Sequence, residues 1–132
     1  VIRAPTSKDE AFAWWSLALR GKAVIVSDEP QCGFFKRKLV KDGPFVPARI
    51  WLDQDVDPET GELCDDERLQ CEVNGSYADP FDAWGWLCGN PITEQEFRYM
   101  EAMREHALRH EPDHPMSDPR KPINNLQTPI LF

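Results

Sequence analysis

A chain of 132 residues, 41% of them hydrophobic and with five Trp and seven Phe, is the size of one domain with an aromatic-rich core. Its 23 acidic residues against 15 basic ones leave a net charge of −8, which opposes general attraction to nucleic acid or to anionic membrane. No run approaches the roughly 18 apolar residues of a membrane span and no charged-then-apolar leader opens the chain, so the expected location is the cytoplasm, with no membrane partner.

In chain order, Ser7 and Glu10 form a capping box that predicts a first helix over Lys8 to Arg20, which Gly21 ends. Phe12, Trp15 and Leu19 recur at helical spacing with Trp14 on the flank, a wide stripe suited to lying across a sheet. Three strands are expected next, Ala23 to Ser27, Phe34 to Val40 and Pro44 to Leu52, with Asp42-Gly43 as the turn between the second and third. The acidic segment Asp53 to Glu67, centred on Asp57-Pro58-Glu59-Thr60-Gly61, reads as an exposed excursion. Leu69 to Val73 follows as a short strand ending at Asn74-Gly75.

Asp79-Pro80 opens a short helix through about Cys88, with Trp84 and Leu87 facing inward. Thr93 and Glu96 cap a last helix reaching Arg109, with Ile92 and Phe97 as a hydrophobic staple and Met100 and Ala107 continuing the apolar face. From residue 111 onward Pro112, Pro115, Pro119, Pro122 and Pro129 exclude regular helix and favour an extended tail. The expected fold class is α+β: a small antiparallel sheet of about four strands packed with an N-terminal helix and two C-terminal helices. Residues 1–110 form the domain and 111–132 the tail.

Four groups of residues could carry chemistry. Lys36, Arg37, Lys38 and Lys41 stand beside Phe34, Phe35, Phe45 and Trp51, a mixture that elsewhere pairs phosphate contacts with base stacking. Strand alternation offers the alternative that the aromatics enter the core while the bases face water. Asp53, Asp55 and Asp57 begin like a calcium loop, but Pro58 stands where the turn needs Gly and Cys64 where a bidentate Glu belongs. The same acidity could instead imitate a phosphate backbone, which would make the protein an acidic inhibitor of a DNA-binding enzyme. His106, His110 and His114 are spaced by four, with His106 and His110 on one helical face, and no Cys-x-x-Cys accompanies them. Cys32, Cys64, Cys71 and Cys88 are expected to be buried free thiols, and no metal or other cofactor is expected. With no phosphate-binding glycine loop, His-Glu-x-x-His or nucleophile elbow, the sequence gives no reason to expect an enzyme.

The last residues, Gln127-Thr128-Pro129-Ile130-Leu131-Phe132, resemble the peptide by which many bacterial replication and repair proteins dock on the sliding clamp. The resemblance implies that Gln127 hydrogen-bonds at one pocket while Ile130, Leu131 and Phe132 fill an apolar groove. The alternative is that these apolar residues fold back and seal the domain's own core. The stretches Gly33 to Val40, Gly43 to Trp51, Asp57 to Glu62, Ala78-Asp79-Pro80, Trp84-Gly85-Trp86-Leu87 and Gly89-Asn90-Pro91-Ile92, after a Trp14-Trp15 helix, are similar to small proteins encoded by bacteriophages and prophages. That resemblance implies an accessory, host-directed role in the bacterial cytoplasm, exercised through a host protein such as the sliding clamp. A nucleic-acid-binding module using the hairpin 33–51 is the second expectation.

Overall fold

The computed structural model describes residues 4–21, 28–111 and 113–120. Four strands, β1 (Gly33–Lys38), β2 (Phe45–Asp53), β3 (Arg68–Val73) and β4 (Ser76–Ala78), form one antiparallel sheet in sequence order. The helices are α1 (Lys8–Ala11), α2 (Ala13–Leu19), α3 (Pro80–Leu87) and α4 (Glu94–His110). The α+β architecture expected from the sequence is therefore the observed one. The expected strand Ala23–Ser27 lies outside the described residues.

The helix ends follow from their caps. Ser7 Oγ accepts the Glu10 amide at 3.2 Å, Asp79 Oδ1 the Phe81 amide at 2.8 Å, and Thr93 Oγ1 the Glu96 amide at 3.1 Å, each satisfying a donor that a helix start leaves unpaired. The first helix is not continuous as expected: it breaks at Phe12 (φ −98°, ψ 11°), whose ring meets Trp15 edge-on at 5.9 Å and Phe34 at 5.8 Å. Leu19, expected on the buried stripe, is 37% exposed, and Trp14 takes the inward place instead.

Pairing of Phe35 with Ala48, Ile50 with Cys71 and Cys71 with Ala78 puts these residues on one sheet face, where the first four are fully buried. There α3 covers them with Ala83, Trp84 and Leu87, so the inward placement of Trp84 and Leu87 holds. The opposite face carries Phe34, which packs at 4.9 Å against Phe97 of α4. Helix α2 lies along the β1 edge between the two layers. Its Trp14 reaches Trp84 at 5.1 Å on one side, and its Trp15 reaches Phe34 at 5.4 Å on the other.

The outer edge of β1 is closed by chain from after α3. Lys36 N–H donates to Asn90 O at 3.1 Å, Ile92 N–H donates to Phe34 O at 3.0 Å, and Phe35 bridges Pro91. Because the Lys36 amide points outward, its β2 partner Pro47 also points away from β1. The missing N–H of Pro47 therefore costs that ladder nothing.

Two turns differ from expectation. The β1–β2 connection runs from 39 to 44, and its left-handed residue is Asp42 (φ 64°), one position before Gly43; the Gly43 amide closes the turn on Val40 O at 3.1 Å. Asn74 (φ 52°) and Gly75 (φ 81°) do not simply end β3. They form a two-residue hairpin that generates β4, which the sequence reading missed because only three residues follow in the strand.

The acidic segment between β2 and β3 closes on itself through a Val56–Leu63 bridge and an Asp57-to-Gly61 turn, with Gly61 at φ 73°. Its far end is tied to the N-terminal segment: Glu67 accepts Thr6 Oγ1 at 2.8 Å and Gln54 Nε2 at 2.6 Å. After α4 the proline-rich stretch makes a 3-10 turn over Pro115–Ser117 with Met116 buried, anchored by Ser117 Oγ at 2.9 Å from Ala107 O. Residues 121–132 lie outside the described residues.

Candidate functional site

Lys36 and Lys38 alternate with Arg37 along β1, so the sheet pleat sends them to opposite faces. The ammonium groups of Lys36 and Lys38 lie 4.7 and 5.1 Å from the Phe45 ring, and Lys36 also faces Glu96 at 3.8 Å. Arg37 crosses to the other side and sets its guanidinium 4.9 Å from the Trp86 ring. Lys41 is exposed on the turn. Of the aromatics once grouped with them, Phe35 is in the core, Phe34 lies under α4, and Trp51 stacks with Arg49 at 4.3 Å, which itself pairs with Glu72 at 3.4 Å. The structure thus joins Lys36, Lys38 and Phe45 and separates Arg37 from them.

Arg37 instead enters a cleft of about 540 Å³ bounded by β4, α3 and the segment 118–120. Asp82 and Trp86 line it from one face of α3, four residues apart, and Asp79, the extended N-cap whose carboxylate holds the Phe81 amide, lines it at the start of that helix. Trp86 is 62% exposed, whereas Trp84 and Leu87 on the same helix are buried. Asp118 and Arg120 supply the opposite rim. Desolvation lowers the Arg37 pKa from its ordinary value, with nearby Cys71 opposing that shift; arginine nevertheless stays charged at neutral pH, so Trp86 carries a cation on its ring. The outward i, i+4 placement of Asp82 and Trp86 was legible in the sequence once Trp84 and Leu87 were set inward. The cleft itself was not, since Arg37 and Arg120 are remote in the chain.

A second hollow of about 300 Å³ lies on the other sheet face between α1 and α4. Phe34, Trp51 and Phe97 line it, and the Glu94–Arg98 pair at 2.9 Å stands beside it. Hydrogen bonding from Arg98 holds the Glu94 carboxyl below its ordinary range, and Lys8 adds to the effect.

The remaining candidates are used locally. Asp57 Oδ1 accepts the Glu59 amide at 2.8 Å, a turn-forming bond within the acidic loop. His106 and His110 stack at 5.0 Å with Glu111 3.8 Å from His106, while His114 Nδ1 caps the 3-10 turn by accepting the Met116 amide at 3.1 Å. Among the described residues no group of three or more His, Cys, Asp or Glu side chains is arranged to hold a metal ion. All four cysteines are free, but they are not all buried as expected: Cys64 is exposed in the acidic loop and Cys88 is only half-buried. Burial pushes the Cys32 and Cys71 thiols up to about 11, with Glu67 adding to the effect at Cys32 and Asp79 at Cys71.

Gln127, Ile130, Leu131 and Phe132 lie outside the described residues. No helix among the described residues is long and apolar enough to cross a membrane. No protein-family model, curated protein or solved structure matches the chain.

Proposed function

We propose that the protein acts by binding other proteins, as an accessory factor of the kind phages direct at host proteins in the bacterial cytoplasm, and that Trp86 marks the contact surface of its folded part. The observation that carries this reading is an indole left 62% exposed at the rim of a cleft with an arginine stacked on it. Trp and Arg are the residues most enriched at the energetic centres of protein interfaces, where covering an exposed ring removes apolar area from water. The C-terminal peptide Gln127 to Phe132 supplies a second contact, with the sliding clamp as its partner.

The test is affinity capture from bacterial lysate with the wild-type chain, Trp86→Ala, and a chain lacking residues 130–132, followed by titration of the purified captured protein and, separately, of purified sliding clamp. A partner lost with Trp86→Ala at unchanged melting temperature supports the cleft as contact surface. Clamp binding lost only with the truncation supports the peptide. Equal retention by all three chains overturns both.

Binding of nucleic acid through the hairpin is the weaker reading. Lys36 and Lys38 share the Phe45 ring, which favours it, but Arg37 faces the other way and Lys36 is already opposed by Glu96.

A further inference from the structure

On the sheet face opposite Trp86, the hollow between α1 and α4 gathers charged groups that the fold leaves without a full set of partners. Arg49 of β2 is the clearest. Its Nη2 holds Glu72 at 3.4 Å and its guanidinium lies 4.3 Å from the Trp51 ring, which fixes the plane of the group. Its Nε is buried and has no hydrogen-bond partner among the described residues. A charged donor shut away from water and left unpaired is costly, and most such groups in folded proteins are satisfied by protein, water or a bound ion. Glu101 of α4, half-buried in the same lining, makes no hydrogen bond or ion pair among the described residues. Lys8 of α1 forms no ion pair there either. It acts on Glu94 only at a distance, and Glu94 is held by Arg98 at 2.9 Å.

Between these groups runs an aromatic wall. Ring centroids stand 5.8 Å apart for Phe12 and Phe34 and 4.9 Å apart for Phe34 and Phe97. The hollow measures about 300 Å³, at the small end of the roughly 300–1,000 Å³ of ligand sites. A neighbouring hollow of about 470 Å³ shares Lys8, Phe12, Phe34 and Glu94 with it, so the wall extends toward α2.

Such a site asks three things of one small molecule: an acceptor for Arg49 Nε, a cation for Glu101 and an apolar body for the rings. We infer that the hollow binds a free amino acid with an aromatic side chain, as its zwitterion. The α-carboxylate accepts from Arg49 Nε–H and faces Lys8, the α-ammonium donates to Glu101, and the ring packs on Phe12, Phe34 and Phe97. A simple carboxylic acid leaves Glu101 unanswered, and a simple amine leaves Arg49 so. Because Glu72 and Trp51 already fix the guanidinium, its donor needs no reordering when the ligand arrives. This site is separate from the protein-contact surface proposed above, since Trp86 lies on the α3 side of the sheet.

The probe is L-phenylalanine, titrated into the isotope-labelled full chain and followed by amide and arginine Nε NMR signals. Phenylacetate and phenethylamine, each lacking one of the two charges, are run beside it at the same pH and salt, with adenine as an uncharged planar ring. The expected result is saturable binding of L-phenylalanine that shifts Phe34, Phe97 and the Arg49 Nε–H, with both analogues weaker by about five-fold or more. Glu101→Gln weakens L-phenylalanine about five-fold while changing phenylacetate less than about two-fold, because only the first carries the ammonium that Glu101 holds. Lys8→Gln weakens L-phenylalanine and leaves phenethylamine unchanged. Trp86→Ala, on the other sheet face, alters none of them. Unchanged melting temperatures verify that each variant keeps the fold.

Absence of saturable L-phenylalanine binding would overturn the inference, as would either analogue or adenine binding as tightly. Equal weakening of L-phenylalanine and phenylacetate by Glu101→Gln would overturn it as well, by showing that Glu101 shapes the hollow rather than holding an ammonium. Loss of L-phenylalanine in Trp86→Ala would place the ligand in the other cleft. None of these outcomes decides whether Trp86 captures a protein, which the lysate experiment reads on its own.

Discussion

Trp14 and Trp15, adjacent in the chain, pack on opposite faces of the same sheet: Trp14 lies 5.1 Å from Trp84 in the α3 layer and Trp15 lies 5.4 Å from Phe34 in the α4 layer. Helix α2 sits at the β1 edge, so two neighbouring side chains straddle the strand and lock both layers to it. The two indoles differ in one respect. Trp15 Nε1 donates to Phe34 O at 3.1 Å and Ile92 O at 2.9 Å, whereas Trp14 Nε1 is buried with no hydrogen-bond partner among the described residues.

Trp15→Phe therefore removes a donor shared by two carbonyls, and should destabilise the fold by about 2 kcal/mol. Trp14→Phe gives up an N–H that gains nothing from burial, and should cost less than Trp15→Phe despite a similar loss of ring area. Urea midpoints of the two variants check this ordering. A Trp14→Phe cost equal to or above that of Trp15→Phe would contradict it.

Gly33 lies beneath the same helix, and a Cβ built there would stand 2.6 to 2.8 Å from three atoms of Trp15. Gly33→Ala should lower stability by about 2–3 kcal/mol, a drop of roughly 6–15 °C in melting temperature for a chain of this length. In a Trp15→Ala background the same substitution should cost far less, since the clash is gone; additive costs in the double variant would show that the glycine is required for another reason.

Glu67 supplies a pH dependence of known sign. Hydrogen bonds from Gln54 first and Thr6 second hold its carboxyl below the ordinary range. A carboxylate whose folded pKa is depressed contributes stability that is present above its unfolded value, about 4.3, and lost as pH falls through the folded value. Glu67→Gln should consequently flatten the fall of the urea midpoint between about pH 5 and pH 3 relative to wild type. An unchanged slope would mean that other carboxylates, such as Glu94 beside Arg98, carry the acid sensitivity.

The thiols separate by environment. Cys64 is exposed and should be the first modified by iodoacetamide, although partial desolvation and then Asp55, Asp57 and Asp65 raise its pKa and slow it relative to a free thiol. Cys32 and Cys71, pushed up to about 11, should react only after unfolding in denaturant. Peptide mass spectrometry across a time course distinguishes them, and native-state labelling of Cys71 at the rate of Cys64 would refute its place in the core.

The sequence by itself determined what is local. Ser7, Asp79 and Thr93 announced their helices because capping needs only a side chain and an amide two or three residues away. Alternation located β1, β2 and β3 to within a residue or two, and helical spacing turned Trp84 and Leu87 inward. Tertiary structure alone decided which of Trp14, Trp15 and Leu19 is covered, since that depends on where α2 meets the β1 edge. It also decided that Lys36 and Arg37 serve different faces with different aromatic partners, Phe45 and Trp86. The Trp86 cleft is the clearest case: its helix stripe was written in the residue spacing, but the cation on the indole and the Asp118–Arg120 rim arrive from positions tens of residues away. Local propensity carries no information about such approaches, which are fixed only when the sheet, α3 and the chain after α4 pack together.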